Sequence, residues 1–314
     1  MKQLENRWQE DAGKNFLDRL TLGGRSGNGF SVSESPFGMT TDGRLDLRGL
    51  RLAEKTELRK VTFSPSDLGA ASWKGIWLER CTFNESSFVG AGFQKIAEHG
   101  NIFTNCTFLK SSFREAAIGY RGSRFENCTF DGVDFSRAVF VRPEFDGCEF
   151  HHCKLDGCDL NGSSFERCRF VGTLRGVWFR GGFAHPNDLS RHGHPRPNRM
   201  AEVSFESAAL RDVTFSNGCD LSSVRPPNDG HHVLVAQWSE KLQNLQNQSF
   251  SWSENQRKAA SAFASTNLVH ARTQDWFILN RDDLETEFGD DISGRIWQAI
   301  TAPTDSERPP SSRD

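Results

Sequence analysis

Three groups of side chains in this 314-residue chain have the types and spacings to do chemistry. The first is cysteine. Cys148, Cys153 and Cys158 stand five apart, and Cys128, Cys148 and Cys168 twenty apart, so they could ligate a metal as thiolates or pair as disulfides. The spacing is not that of the short paired knuckles of zinc ligands, and the thiols read instead as small buried apolar groups. The second is a basic stretch holding Arg175, Arg180, Arg191, Arg196 and Arg199 with His185, His192 and His194, against the single acid Asp188 before Glu202. With Trp178, Phe179 and Phe183 among them, Arg175, Arg180, Arg191, His192, His194, Arg196 and Arg199 form a candidate binding set for phosphate or nucleic acid. The plainer alternative is a solvated excursion that folds back on the body of the protein. His192-Gly193-His194 with His185 could also gather a metal, but no cysteine or paired carboxylates lie near, so no metal is expected. The third is acidic: Asp282-Asp283 and Asp290-Asp291 have no histidine close by in sequence and read as solvated helix ends. There is no phosphate-cradling glycine loop and no nucleophile elbow. The reading is therefore a non-enzyme without a cofactor.

The elements that position these groups follow from a period of five. Phe125, Phe130, Phe135, Phe140, Phe145, Phe150, Leu155, Leu160, Phe165 and Phe170 are evenly spaced, and Leu58 to Phe93 carry the same spacing in another phase. Helical faces repeat at 3.6 residues and strand faces at 2, so neither accounts for it. Two places before each large residue stands a small one: Ser123, Cys128, Val133, Ala138, Pro143, Cys148. Both positions must point inward, and the polar residues between them must face water. Four sides of five residues close a square coil, and stacked coils sit roughly 4.8 Å apart. Phe130, Phe150 and Phe170 would then form one column of rings.

Segments such as Cys128-Thr129-Phe130-Asp131-Gly132 and Cys158-Asp159-Leu160-Asn161-Gly162 resemble the pentapeptide repeat family. The resemblance covers roughly residues 45 to 170 and 203 to 221. It implies a mainly β fold, a right-handed quadrilateral β-helix, here with an N-terminal helical cap and a C-terminal α-helical module. It also implies a scaffold that works by protein–protein interaction, and some members of the family protect DNA gyrase by imitating duplex DNA. Such imitation asks for a negative rod. Residues 125–166 hold nine acids against three bases, whereas residues 44–124 hold thirteen bases against eight acids, so only part of the coil meets that requirement.

The division expected is 1–43 as helix and cap or linker, 44–225 as coil with an insertion over 171–202, 226–301 as a helical module and 302–314 as a disordered tail. Leu4, Trp8, Phe16, Leu17 and Leu20 suggest a helix over the first coil, and Gly- and Ser-rich residues 23–43 a linker. Near Glu98 a small bulging loop is expected, because an acid falls where a large apolar residue should. Two extra residues near Gly119 and Tyr120 shift the phase. In the module, helices are read around Val233–Leu245, 258–268 and 292–300, with Trp276 to Leu279 either strand or buried helix. The charged N-terminus and the lack of a long apolar run favour the cytoplasm, with no membrane partner. The partners expected are another protein, a topoisomerase or other DNA-handling enzyme among the candidates, a second copy through the C-terminal module, or nucleic acid at the basic stretch.

Overall fold

In the computed structural model, which describes residues 2–303, the five-residue period closes into a four-walled coil of parallel strands. Three-residue strands make the walls and left-handed residues turn many of the corners, among them Lys60, Arg80, Asn105 and Lys110. Wall 1 is a seven-stranded parallel sheet running from Phe30–Val32 through Val61–Phe63, Ile102–Thr104 and Arg124–Glu126 to Ser164–Glu166. Wall 2 carries Thr107–Leu109, Thr129–Asp131, Glu149–His151, Arg169–Arg175 and, after a register shift, Ser204–Arg211, with Phe108, Phe130, Phe150 and Phe170 opposite one another. Wall 3 is held by single bridges such as Ser112 to Asp134. Wall 4 runs from Glu57–Arg59 and Trp77–Glu79 through Ala97–His99 and Ala117–Tyr120 to Trp178–Arg180 and Thr214–Ser216.

Inside, the expected columns of rings are present. Phe130 lies 4.9 Å from Phe150, and Phe150 lies 4.8 Å from Phe170, with ring planes within 7° of parallel. Rings of adjacent walls meet edge to face, as Phe125 does Phe130 at 5.7 Å. Thiols fill the small position for a reason beyond size. Cys106, Cys128, Cys148 and Cys168 each donate from Sγ to the carbonyl of a phenylalanine one coil earlier. All eight cysteines are free and buried, and burial pushes Cys81 and Cys153 up to about 12.

Glu98 makes no bulge. It occupies the inward centre of wall 4, between Leu78 and Ile118, and is 1 % exposed. Its partners explain the placement. Two extra residues at the corner 119–122 break the ladder after Ala117 and leave the Gly119 N–H without a strand partner. Glu98 Oε2 accepts that N–H at 2.6 Å, and Oε1 accepts from Asn101 Nδ2 at 2.7 Å. Gly119 has φ 87°, and a Cβ there would fall 2.5 Å from Pro143 N, so glycine is required. Above the extra residues the columns resume, with Phe103 and Phe125 stacked at 4.8 Å across a spacing of 22.

Both ends are covered. At the front, α1 (Lys2–Asn6), a 3-10 turn (Arg7–Gln9) and α2 (Asp11–Ser26) lie over the first coil, burying Trp8, Phe16 and Leu20. Arg7 makes a two-pronged ion pair with Asp46, which is 5 % exposed. Burial pushes the Asp46 carboxyl up, but hydrogen bonds from Arg7 and Arg48 outweigh it and hold the group well below the carboxylate range. The stretch read as linker contains the strand Phe30–Val32, which starts wall 1. Late in the coil, α3 (Asn187–His192) interrupts the walls. At the back, α4 (Trp238–Ser249), α5 (Glu254–Ala271), α6 (Arg281–Phe288) and α7 (Asp290–Thr301) surround an antiparallel pair, His232–Val235 with Phe277–Asn280. Of the run Trp276 to Leu279, all but Trp276 thus resolves as strand, and Val233 belongs to its partner strand. The tail expected to be disordered lies, from residue 304, outside the described residues.

Candidate functional site

The chain does not leave the coil at residue 171. Leu174, Val177 and Phe179 are buried in the tube, and Trp178–Arg180 pairs with Asp159–Leu160. The excursion runs over residues 181–199 and rejoins the core at Met200, which is fully buried. The sequence hid this because Phe170 to Leu174 is a step of four, taken up by a left-handed Gly172 at φ 100°.

The seven residues of the basic set do not converge. Arg175 stands on the outside of wall 2, away from the excursion, and is exposed. Arg180 grips both oxygens of Asp159 at 2.7 and 2.8 Å and lies 4.7 Å over the Trp178 ring. Arg196 reaches across wall 1 to Glu166 at 2.7 Å and Glu144 at 3.7 Å. His192 stands edge-on to Tyr120 at 5.3 Å, and the carbonyl of His194 accepts from Arg142. Arg191 and Arg199 are exposed. Of the excursion's arginines, Arg196 therefore lies on acids of the coil it crosses, and its aromatic Phe183 packs inward at 9 % exposure.

What the excursion completes is a line of rings on the outside of wall 4. Trp77 and His99 stack at 3.9 Å, His99 and Tyr120 meet at 5.1 Å, and His192 of α3 closes the line. Burial lowers the His99 pKa, and Arg121 beside it lowers it further. Next to these rings Val139 is 54 % exposed and Leu189 of α3 40 % exposed. A cleft of about 520 Å³ opens between Tyr120, Val139, Asp159, Asp188 and His192. Along the adjoining corner stand Lys60, Arg80, Arg121 and Arg142, each with a left-handed backbone. Trp77, His99 and Tyr120 were not singled out as a surface from sequence. The available signal was their shared place beside the wall-4 centres, at intervals of 22 and 21 residues.

The described residues bring together no set of three His, Cys, Asp or Glu able to hold a metal, and none of their helices is long and apolar enough to cross a membrane. The acids read as solvated helix ends have a docking role in one case. Asp282 pairs with Arg211 and His231, and Asp283 accepts the backbone N–H of Asp212 at 2.8 Å, so α6 is tied to the last coil. Buried Gln274 and Asn280 add bonds to Cys219 and to the Leu210 carbonyl.

The family model for a pentapeptide repeat region matches residues 99–174, within the span of the stacked columns. That stretch is thus a pentapeptide repeat region. The family's central large residue is the one that forms the columns, and the thiol or small residue two before it fills the space beside them. Among solved structures the chain is similar to QnrB1, a plasmid-mediated fluoroquinolone resistance protein, at 17 % identity over 55 % of this chain and 91 % of that one, TM-score 0.26. It is similar to HetL, a pentapeptide repeat protein involved in heterocyst differentiation regulation from the cyanobacterium Nostoc sp. strain PCC 7120, at 15 % identity over 68 % and 92 %, TM-score 0.29. A third is Rfr23 from the cyanobacterium Cyanothece 51142, at 10 % identity over 58 % and 87 %, TM-score 0.17. Likeness this distant carries no function across. No curated protein matches the sequence.

Proposed function

We propose that this pentapeptide-repeat protein is a non-catalytic scaffold that holds a protein partner against wall 4. The observation that carries this is the ring line Trp77, His99, Tyr120 and His192 with Val139 and Leu189 beside it. Stacked rings on a rigid wall lose little freedom on binding, and aromatic residues with arginines at their margin are the commonest anchors of protein interfaces. The basic corner favours a partner surface with an apolar projection flanked by acids. A DNA-handling enzyme or a bacterial regulatory or defence component fits the reading. The test is affinity capture from the native host by the wild type and by a Trp77→Ala/Tyr120→Ala double variant. A partner retained by both equally ends the proposal.

Imitation of DNA towards gyrase is the weaker account, because Arg180, Arg196 and Arg167 lie over the acids of the negative section. A supercoiling assay unchanged at micromolar protein would remove it. Nucleic-acid binding at the excursion rests on Arg191 and Arg199. A duplex gel shift that survives an Arg191→Ala/Arg199→Ala change would dispose of that version. Pairing of two copies through the module would cover Phe250, which is 72 % exposed, and sedimentation of Phe250→Ser beside the wild type tests it.

A further inference from the structure

A second feature lies at the far end of wall 4, where the helical module docks on the last coils. Between them is a cavity of about 270 Å³. Its walls combine aliphatic side chains with the aromatic rings of Trp178, Phe215, Trp238, Phe263 and Phe277. Trp178 projects from the coil, while Trp238 and Phe277 of the module stack at 4.6 Å. Its carboxylates come from both sides: Asp212 from the corner of the coil, and Asp283 and Glu287 from α6. Asp283 and Glu287 are four residues apart on that helix, a like-charge spacing that weakens a helix. Partial burial at the rim, with the charges of Asp212 and Asp283, raises the Glu287 pKa. No lysine or arginine lines the cavity, and its one basic ring, His270, stands edge-on to Trp178 at 5.6 Å. Arg211, the nearest cation in sequence, is engaged by Asp282 outside it. Aromatic faces and acids turned on one apolar space are complementary to a cation with an apolar body.

We infer that this cavity is a binding site for a small organic cation, an ammonium or guanidinium group carried on an aromatic or branched apolar body. The charged end would lie between Asp283, Glu287 and Asp212, and the body against Trp178 and Phe277. Nothing in this requires the partner proposed for the ring line, and either can fail alone.

The test titrates the full chain, by calorimetry and tryptophan fluorescence, with phenethylammonium, neutral 2-phenylethanol and anionic 3-phenylpropionate. Phenethylammonium should saturate one site, phenylethanol should bind at least about tenfold more weakly, and phenylpropionate should not saturate. Glu287→Gln and Asp283→Asn should each weaken the ammonium about tenfold and leave the alcohol unchanged. Glu287 is exposed at the rim, so the first variant keeps its fold, which its unfolding midpoint checks. Trp178→Ala supplies an arm from the opposite side and should also weaken the ammonium. N-acetyl-lysine methylamide, which has the charge without the ring, should bind less tightly than phenethylammonium. Equal affinity for ammonium and alcohol, an ammonium that never saturates, or tight binding unchanged by Glu287→Gln would each overturn the inference.

Discussion

The tube and the helical module are both sealed from water, but they are built on opposite plans. In the tube every coil repeats the last, and Phe108 touches the same kind of neighbour above, below and beside it, with stacks of 4.8 Å on either side. In the module the core is a set of unlike residues, Trp238, Leu242, Phe263, Leu284 and Ile296, brought together once from four helices. The two cores are distinct apolar clusters, and Ile278 of the module inserts into that of the tube. Repetition spreads stability along the tube as neighbour-to-neighbour terms, whereas the module stands or falls as a unit. The repeating half therefore presents long flat walls, and a cavity forms where the irregular half meets them.

The largest blow to this contrast is a hole in a column. Phe130→Ala removes a ring that is 1 % exposed and stacked on both faces, and should cost about 3–5 kcal/mol. Denaturant unfolding followed by far-ultraviolet dichroism would measure it. If the tube behaves as neighbouring coils, the transition should also broaden, whereas a comparable Phe263→Ala change should shift the module's transition without broadening it.

Glu98 sharpens the comparison, since it is the one acid at a centre of the column. Burial raises its pKa from 4.5 to about 7. An acid with a raised folded-state pKa favours folding while protonated. Stability should therefore fall as the pH climbs from the unfolded value to the folded one, by about 3 kcal/mol in all, and level off above. Glu98→Gln should flatten that slope. A slope unchanged in the variant would mean that another group titrates.

A smaller effect separates the two halves at their joint. Gln274 is 1 % exposed and accepts the Cys219 N–H at 2.9 Å. Gln274→Ala should cost about 1–3 kcal/mol by removing that bond and those its amide donates to the Cys219 and Trp276 carbonyls, with amide exchange faster at residues 274–280 than in wall 1. The smallest is at the surface. Arg196→Ala should cost under about 1 kcal/mol, because the arginine is 40 % exposed, and its contribution should vanish in high salt.

The same contrast governs what could be read from the chain. The columns were legible because a spacing of five has few structural solutions, so Phe130, Phe150 and Phe170 named their own neighbours. The bulge expected at Glu98 was not found, since the residues that satisfy the carboxylate, Asn101 and Gly119, become its partners only once the coil is closed. The start of the excursion was misplaced by a single step of four. Module contacts such as Arg211 with Asp282 join residues 71 apart with no period to reveal them. The ring line of wall 4 lay between these cases: its intervals were nearly regular, but its outward direction emerged only with the walls.

The two surplus residues after Ile118 leave Phe103 and Phe125 as well aligned as any pair without them. A corner of this rod can thus lengthen while its interior keeps count, provided one side chain inside answers the amide set loose. Lineages carrying such coils are free to graft new loops onto the exterior, rung by rung, and the compensating mark to seek in each is a lone polar residue among the phenylalanines.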